Sequence, residues 1–239
     1  AKQQTSWINP NTDYEDDLET FVRGVTTDDA TPGVLDDFGT TLAEAGFANR
    51  LSQLALKGTA PGVPDVYRGT EMADLSLVDP DNRRPVDWPA RQEALDDLAP
   101  LLDAPSPDDV QALFDTPTPR AYLYLTARLL QWRRAHPGLA AAEGYSDLAP
   151  EGKGADDWLA FARFKDVDGA PDAALLTAVS RHPLSRTPNA PATLSLPPAL
   201  TNRTWTDVLT SASIEIDEVI DLHALPTTQA AVLHTESPR

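Results

Sequence analysis

The hydrophobic period of the sequence changes near residue 138, and this change limits the possible folds more than any other feature. Before it, apolar residues recur about every three to four positions, which is typical of helices. After it, short alternating runs are separated by clusters of Pro, Gly, Asn and Asp, which is typical of antiparallel strands. We therefore predict a helix-rich domain over residues 1–138 and an antiparallel β-sandwich domain over residues 139–239.

The same patterns predict individual elements. The capping-box sequence from Thr12 to Glu15 predicts a first helix that continues to about residue 25. A second helix is predicted from Pro32 to about Lys57, with a break near Gly46. Further helices are predicted at residues 90–103, after Ser106, and at 119–136. The strand candidates are residues 158–164, 174–179, 192–196, 204–209 and 230–234.

One short apolar run, Val63 to Tyr67, does not fit the helical part. Its length and its flanking Gly and Pro residues predict a buried strand of a parallel sheet. A lone parallel strand cannot satisfy its own backbone groups, so its neighbours must come from chain outside this sequence. We expect the chain to be a fragment, and we expect its apolar helix stripes to need a covering partner.

Composition excludes several functions. The formal net charge is −18 and the pI about 4.4, so we expect neither nucleic acid nor a membrane surface as a partner. There is no cysteine, which excludes disulfides, thiolate metal sites and a cysteine nucleophile. His182, His223 and His234 have no metal-ligand spacing, so no metal site is expected. Without a long apolar run or a signal peptide, the chain is expected to be cytoplasmic.

Three motifs carry a resemblance to a known family. The string PGVPDVYRGTE at residues 61–71 resembles the eighth-strand segment of the α-amylase superfamily barrel. The string DPDNRRPVDW at 79–88 is similar, more narrowly, to the maltooligosyltrehalose synthase family. TSWINPN at 5–11 and WTDVLT at 205–210 agree with the same family.

The resemblance implies a (β/α)8 barrel, of which this chain would hold the last strand and final helices, followed by a C-terminal β-sandwich. It implies an intramolecular transglucosylation that converts the reducing-end α-1,4 bond of a maltooligosaccharide into an α,α-1,1 bond, without a cofactor. Such chemistry uses two carboxyl groups about 5–5.5 Å apart. The family carries them upstream of residue 1, so we expect no catalytic residue here. The implied partners are the maltooligosaccharide and the N-terminal catalytic part of the same enzyme.

The resemblance also implies a role for the segment that leaves the eighth barrel strand, from Arg68 to about Trp88. Active sites of such barrels lie at the C-terminal ends of the strands, so this segment would form part of the rim of the sugar cleft. Carboxylate and guanidinium groups suit sugar hydroxyls, which both donate and accept hydrogen bonds. The candidate substrate-binding residues are Arg68, Glu71, Asp81, Asn82, Arg83 and Arg84.

Structural alternatives stay open for several of these residues. Arg83 and Arg84 would instead hold the loop closed if they paired with nearby aspartates. Those aspartates are Asp79, Asp81 and Asp87. Glu71 would orient a neighbouring group rather than contact sugar. Tryptophans in apolar patterns are usually core residues, so we expect this for Trp7, Trp158 and Trp205 rather than sugar stacking.

Two other functions remain compatible with the sequence. The chain would be part of another α-amylase-type hydrolase or glucosyltransferase, although the string at 79–88 argues against that. Alternatively, residues 139–239 would form a non-catalytic carbohydrate-binding module, although the sequence offers no evident pair of exposed aromatic residues.

Overall fold

A computed structural model describes residues 3–27, 32–76, 83–167, 170–185, 187, 190–225 and 230–236. Contacts between Cα atoms divide the chain into two compact units, Ala1–Glu44 and Ala45–Arg239. The change from helices to strands falls inside the second unit, between Ala140 and Gly144.

The first unit contains α1 (Thr12–Thr27) and the beginning of α2 (Pro32–Thr59). The N-cap of α1 is Asn11 rather than the predicted Thr12, because the Asn11 side-chain oxygen accepts a hydrogen bond from the Tyr14 amide at 3.2 Å. The predicted apolar stripe of α1 exists, but none of its residues is buried. The exposed members are Tyr14, Leu18, Phe21, Val22 and Val25.

The predicted break of the second helix near Gly46 is wrong, since α2 continues without interruption to Thr59. A glycine inside a helix costs only about 1 kcal/mol relative to alanine. The alanine and leucine residues around Gly46 favour the helix, and Phe47 and Leu51 gain further stability by entering the core.

The remaining helices of the second unit begin at strong start signals. They are α3 (Trp88–Asp103), α4 (Pro107–Asp115), α5 (Pro119–Ala135) and α6 (Pro137–Ala140). Each has proline in its first two positions, where the missing amide hydrogen removes no helical bond. Asp87 caps α3 by accepting from the Ala90 amide at 3.0 Å, and Ser106 caps α4. The helices predicted at 90–103, after Ser106 and at 119–136 are therefore confirmed.

The strands form two antiparallel sheets. They are β1 (Gly144–Leu148), β2 (Pro150–Glu151), β3 (Trp158–Val167), β4 (Ala170–Ser180), β5 (Thr193–Ser195), β6 (Arg203–Asp207), β7 (Ser213–Ile216), β8 (Val219–Asp221) and β9 (Ala230–Glu236). The larger sheet has the order β1-β3-β4-β9-β6-β7 and the smaller has β2-β5-β8. Each of the five predicted strands matches one of these. Within the described ranges, no helix is long and apolar enough to cross a membrane.

Strand β4 is buried on both faces and joins two cores. Ala173, Leu175 and Val179 pack with the helices, whereas Ala174, Leu176 and Ala178, on the opposite face, pack with residues of both sheets. This explains why residues 173–179 are almost continuously apolar, a pattern that a strand with one solvated face does not need.

The predicted strand from Val63 to Tyr67 is not a strand in this structure. The segment has no regular secondary structure, and its apolar side chains are exposed, with Val63 at 95% and Tyr67 at 61%. The physical reason is the one that makes lone parallel strands unstable, because no neighbouring strand of the described chain pairs with this segment.

Candidate functional site

The segment after Tyr67 is fixed in place by an arginine at the start of α3. The Arg91 guanidinium donates to the Gly69 carbonyl oxygen at 2.6 Å and to the Asp87 carbonyl oxygen at 3.0 Å. It also donates to the Glu71 carboxylate at 3.3 Å, and both side chains of this ion pair are largely buried. Because Asp87 caps α3, the helix start positions Arg91 one turn later.

A second arginine holds the other end of the same turn. The Arg50 guanidinium, on α2, donates to the Met72 carbonyl oxygen at 2.8 Å and lies 4.5 Å from the centre of the Tyr122 ring. Burial raises the pKa of Tyr122, and the charge of Arg50 opposes that shift. Residues 69–72 are thus tied to both α2 and α3.

The turn itself depends on Gly69. Its φ is +89°, a left-handed conformation that favours glycine, and a Cβ there would lie 3.1 Å from the Val86 side chain. The Thr70 hydroxyl donates to the Tyr67 carbonyl oxygen at 2.6 Å and closes the turn. The glycine lets the chain reverse beside Val86 and lets Glu71 reach Arg91.

Four of the six predicted site residues lie in the described part of the chain. Glu71 is half-buried and bound to Arg91, which matches its predicted orienting role better than a direct sugar contact. Arg68, Arg83 and Arg84 are exposed. Asp81, Asn82 and the possible partner Asp79 lie outside the described residues. Sequence reasoning missed Arg50 and Arg91, because both lie within predicted helices rather than in the segment they hold.

The most buried carboxylate among the described residues is that of Asp207. Asp207 accepts hydrogen bonds from the Leu209 amide at 3.3 Å and from the Thr210 amide at 3.1 Å. Burial raises the pKa of Asp207, against the effect of these bonds. Asp207 closes the turn after β6. Nearer the candidate site, hydrogen bonds from Ser76 lower the pKa of Asp74.

Two histidines that are distant in sequence meet at the end of α5. The rings of His136 and His234 are 4.6 Å apart between centroids, and His136 Nε2 lies 3.9 Å from the Glu236 carboxylate. Burial, followed by the nearby His136, lowers the pKa of His234 to about 4. In the described part of the chain, no group of three His, Cys, Asp or Glu residues could hold a metal ion.

The tryptophans divide into two groups. Trp158 and Trp205 are buried in the second core, at 3% and 0% exposure, so their predicted core role is confirmed. The core role expected for Trp7 is wrong, since its side chain is 82% exposed. Trp7 precedes α1 in a segment bounded by Asn and Pro, outside any periodic apolar pattern that could have buried it.

Comparison with solved structures first defines the class. An α-amylase from Anoxybacillus matches 80% of this chain with a TM-score of 0.50 and 16% identity, over 33% of its own chain. Such a likeness concerns the fold alone, and this chain has the fold of about a third of that α-amylase. No protein-family model matches the sequence.

The relatives with higher sequence identity belong to one family of enzymes. The maltooligosyltrehalose synthase of Arthrobacter ramosus matches 98% of this chain with a TM-score of 0.76 and 27% identity. A curated Mycobacterium tuberculosis protein named as a maltooligosyl trehalose synthase is 33% identical over 212 residues, 88% of this chain. The chain spans only 28% and 23% of these two proteins. The resemblance to maltooligosyltrehalose synthases is confirmed, and this chain corresponds to about a quarter of such an enzyme.

Proposed function

We propose that this chain is the C-terminal portion of a maltooligosyltrehalose synthase. The enzyme would convert the reducing-end α-1,4 bond of maltooligosaccharides into an α,α-1,1 bond and leave a trehalose terminus. The observation that carries the proposal is the match to the Arthrobacter ramosus synthase over 98% of this chain. The reaction transfers a glucosyl group within one molecule, so it needs no cofactor. A cytoplasmic location remains a prediction from the sequence.

The proposed mechanism leaves the bond chemistry to chain outside this sequence. A retaining enzyme needs a nucleophilic carboxylate and an acid/base carboxyl group about 5–5.5 Å apart on either side of the scissile bond. Asp207, whose pKa burial raises, is held by hydrogen bonds within its own turn, so we do not assign it to that chemistry. Residues 1–138 would complete a barrel, and the segment 63–67 would gain the strand neighbours that it lacks here.

The activity of the chain tests this division of labour. The 239-residue chain, incubated with maltopentaose, should cause no loss of reducing ends above background, because the catalytic carboxylates are proposed to lie elsewhere. A complete enzyme that includes this chain should convert the same substrate into a trehalose-ended product without net hydrolysis. Reducing-end assay and chromatography of the products measure both outcomes.

Each result separates the proposal from its alternatives. Turnover by the verified 239-residue chain would contradict the absence of catalytic residues. Free reducing sugar from the complete enzyme would indicate another α-amylase-type hydrolase.

The chain itself would contribute part of the cleft rim. Arg91 and Arg50 fix the turn at residues 69–72, and the exposed Arg83 and Arg84 follow in the segment that leads to α3. A guanidinium group offers several donors in a fixed plane, which suits neighbouring sugar hydroxyls. We propose that one of the two arginines contacts the sugar and that the other pins the loop.

Alanine substitutions in the complete enzyme distinguish these roles. A sugar-binding arginine, replaced by alanine, should lower kcat/KM by about tenfold to a hundredfold without changing the melting temperature, because a charge-assisted hydrogen bond is lost. A loop-pinning arginine should lower stability and activity together. The measurements are kcat/KM and melting temperature for Arg83→Ala and Arg84→Ala, with the exposed Arg134→Ala as control. Unchanged values in both variants would remove this loop from the function.

The proposed partner is the N-terminal catalytic part of the same enzyme. The beginning of α2 also has exposed apolar side chains, those of Leu35, Phe38 and Leu42, in addition to the exposed stripe of α1. Apolar surfaces of this kind mark contacts with other protein segments. In the complete enzyme the part of this surface from Leu18 onwards would be covered by the preceding part of the barrel.

A further inference from the structure

The first unit contains a cavity of about 630 Å³ between its N-terminal segment and the first turn of α1. It is an open groove, since six of its eight described lining residues are exposed. Two aromatic rings line it, those of Trp7 and Tyr14, together with the carboxamides of Gln3 and Gln4. The carboxylate of Glu15 lies on the same wall, and none of the described lining residues carries a positive charge.

The segment that carries Trp7 is fixed by its own hydrogen bonds. The Thr5 hydroxyl donates to the Glu15 carboxylate and accepts from the Asn11 amide at 3.1 Å. The Ser6 hydroxyl accepts from the Asn9 amide at 3.0 Å and closes a turn around Trp7. The indole is thus held at the surface by a hydrogen-bonded turn before the start of α1, and its side chain is 82% exposed.

We propose that this cavity binds an α-1,4-linked glucan chain, with the Trp7 indole as a stacking platform. Aromatic faces suit the apolar faces of sugar rings, and carboxamides both donate and accept hydrogen bonds, as sugar hydroxyls do. The described lining residues include one carboxylate and no cation, which favours a neutral ligand over a phosphorylated one. The choice of glucan among neutral polyhydroxylated ligands rests on the proposed function, whereas the position of the site does not.

This site would be a second glucan contact, distinct from the segment at residues 68–88. It lies wholly within the first unit, whereas Arg83 and Arg84 belong to the second. It would hold a part of a maltooligosaccharide chain.

Calorimetric titration of the 239-residue chain with maltoheptaose tests the site. Trp7→Ala should weaken binding by about tenfold or more, and Trp7→Phe should retain part of the affinity through its ring. Ile8→Ala is the matched control, because Ile8 is 98% exposed in the same turn but does not line the cavity. It should bind like the unmodified chain, and cellohexaose should bind weakly, since its β-1,4 linkage gives the chain another shape.

Several results would overturn the proposal. These are no binding of maltoheptaose, equal binding by the unmodified chain and Trp7→Ala, an equal loss in Ile8→Ala, or equal affinity for cellohexaose. The product assay of the complete enzyme is separate from this titration. Trp7-dependent binding together with hydrolytic products would uphold the site and refute the proposed reaction. A trehalose-ended product without Trp7-dependent binding would uphold the proposed reaction and refute the site.

Discussion

Replacing Arg163 by methionine should lower the free energy of unfolding by about 3–5 kcal/mol, although methionine keeps much of the side-chain volume. Arg163 lies on β3 and is 1% exposed. Its guanidinium donates to the carbonyl oxygens of Thr59 and Ala140 at 3.2 Å each, and also to that of Ala142. The bonds reach the end of α2 and the end of α6, where helices leave carbonyl groups without internal partners.

The loss is expected to be large because the carbonyl groups remain buried after the substitution. Exchanging a buried charge for an apolar side chain is often neutral when both partners are replaced, but here only the donor is removed. Burial, and then the nearby Arg133, lower the pKa of Arg163, so the charge already has an unfavourable contribution that the carbonyl dipoles offset.

Urea unfolding of Arg163→Met and Arg163→Ala measures the effect, with Arg134→Ala as a control on an exposed arginine of α5. Arg134→Ala should remain within about 0.5 kcal/mol of the unmodified chain. Arg163→Ala should be less stable than Arg163→Met, since it also leaves a cavity. Equal stability of Arg163→Met and the unmodified chain would mean that water satisfies these carbonyl groups and that the guanidinium is dispensable.

The sequence predicts the helices and strands of this chain better than it predicts which segments they pair or pack with. The strands around Phe161 and Leu176 follow from local apolar patterns, and so do the helices that begin at Pro107 and Pro119. A local pattern carries no information on whether a partner strand is present, which is why the segment at residues 63–67 is not a strand in this chain despite its pattern. The division into domains at residue 138 stays a prediction, since helices and β4 share one core in the second unit.

The contacts that hold the candidate site could not be predicted from local sequence patterns either. Motif similarity indicated the segment at residues 61–88, but the arginines that hold it, Arg50 and Arg91, reach it across 22 positions of the sequence each. Arg163 reaches Thr59 across 104 positions. An arginine in a predicted helix or strand is normally assigned to the surface, and only the tertiary structure identifies the carbonyl groups that it meets.

Acidification from pH 7.5 to pH 4.5 should destabilise the chain through His234 by about 2 kcal/mol, beyond the effects of its carboxyl groups. The His234 ring packs 4.6 Å from His136 and 6.3 Å from Trp132 between ring centroids, and its Nδ1 is buried without a hydrogen-bond partner. Arg128 and Asp207 line the same cavity, and Glu236 follows on β9. Burial and the His136 charge lower the His234 pKa to about 4, whereas Glu236 raises it.

The sign follows from the two protonation states. Unfolded His234 has a pKa of about 6.5 and binds its proton first as the pH falls, so the unfolded state is favoured between pH 6.5 and pH 4. Above pH 6.5 the ring is neutral in both states, so the destabilisation is absent there, and it develops as the pH falls from 6.5 towards 4. The expected destabilisation is about 2 kcal/mol, which is less than the full pKa shift would give. The ring is partly exposed, so solvent screens its charge.

Urea unfolding at both pH values, with and without His234→Phe, isolates this contribution. The variant should show about 2 kcal/mol less acid destabilisation than the unmodified chain, because phenylalanine fills the site beside Trp132 without binding a proton. Titration of the carboxyl groups is common to both proteins and largely cancels in the difference. His182→Asn is the control, since it removes an exposed histidine at a φ of 52°, which asparagine tolerates. Its pH dependence should match that of the unmodified chain, and an equal dependence in His234→Phe would mean that His234 accepts its proton in the folded state without disturbing the α5–β9 contact.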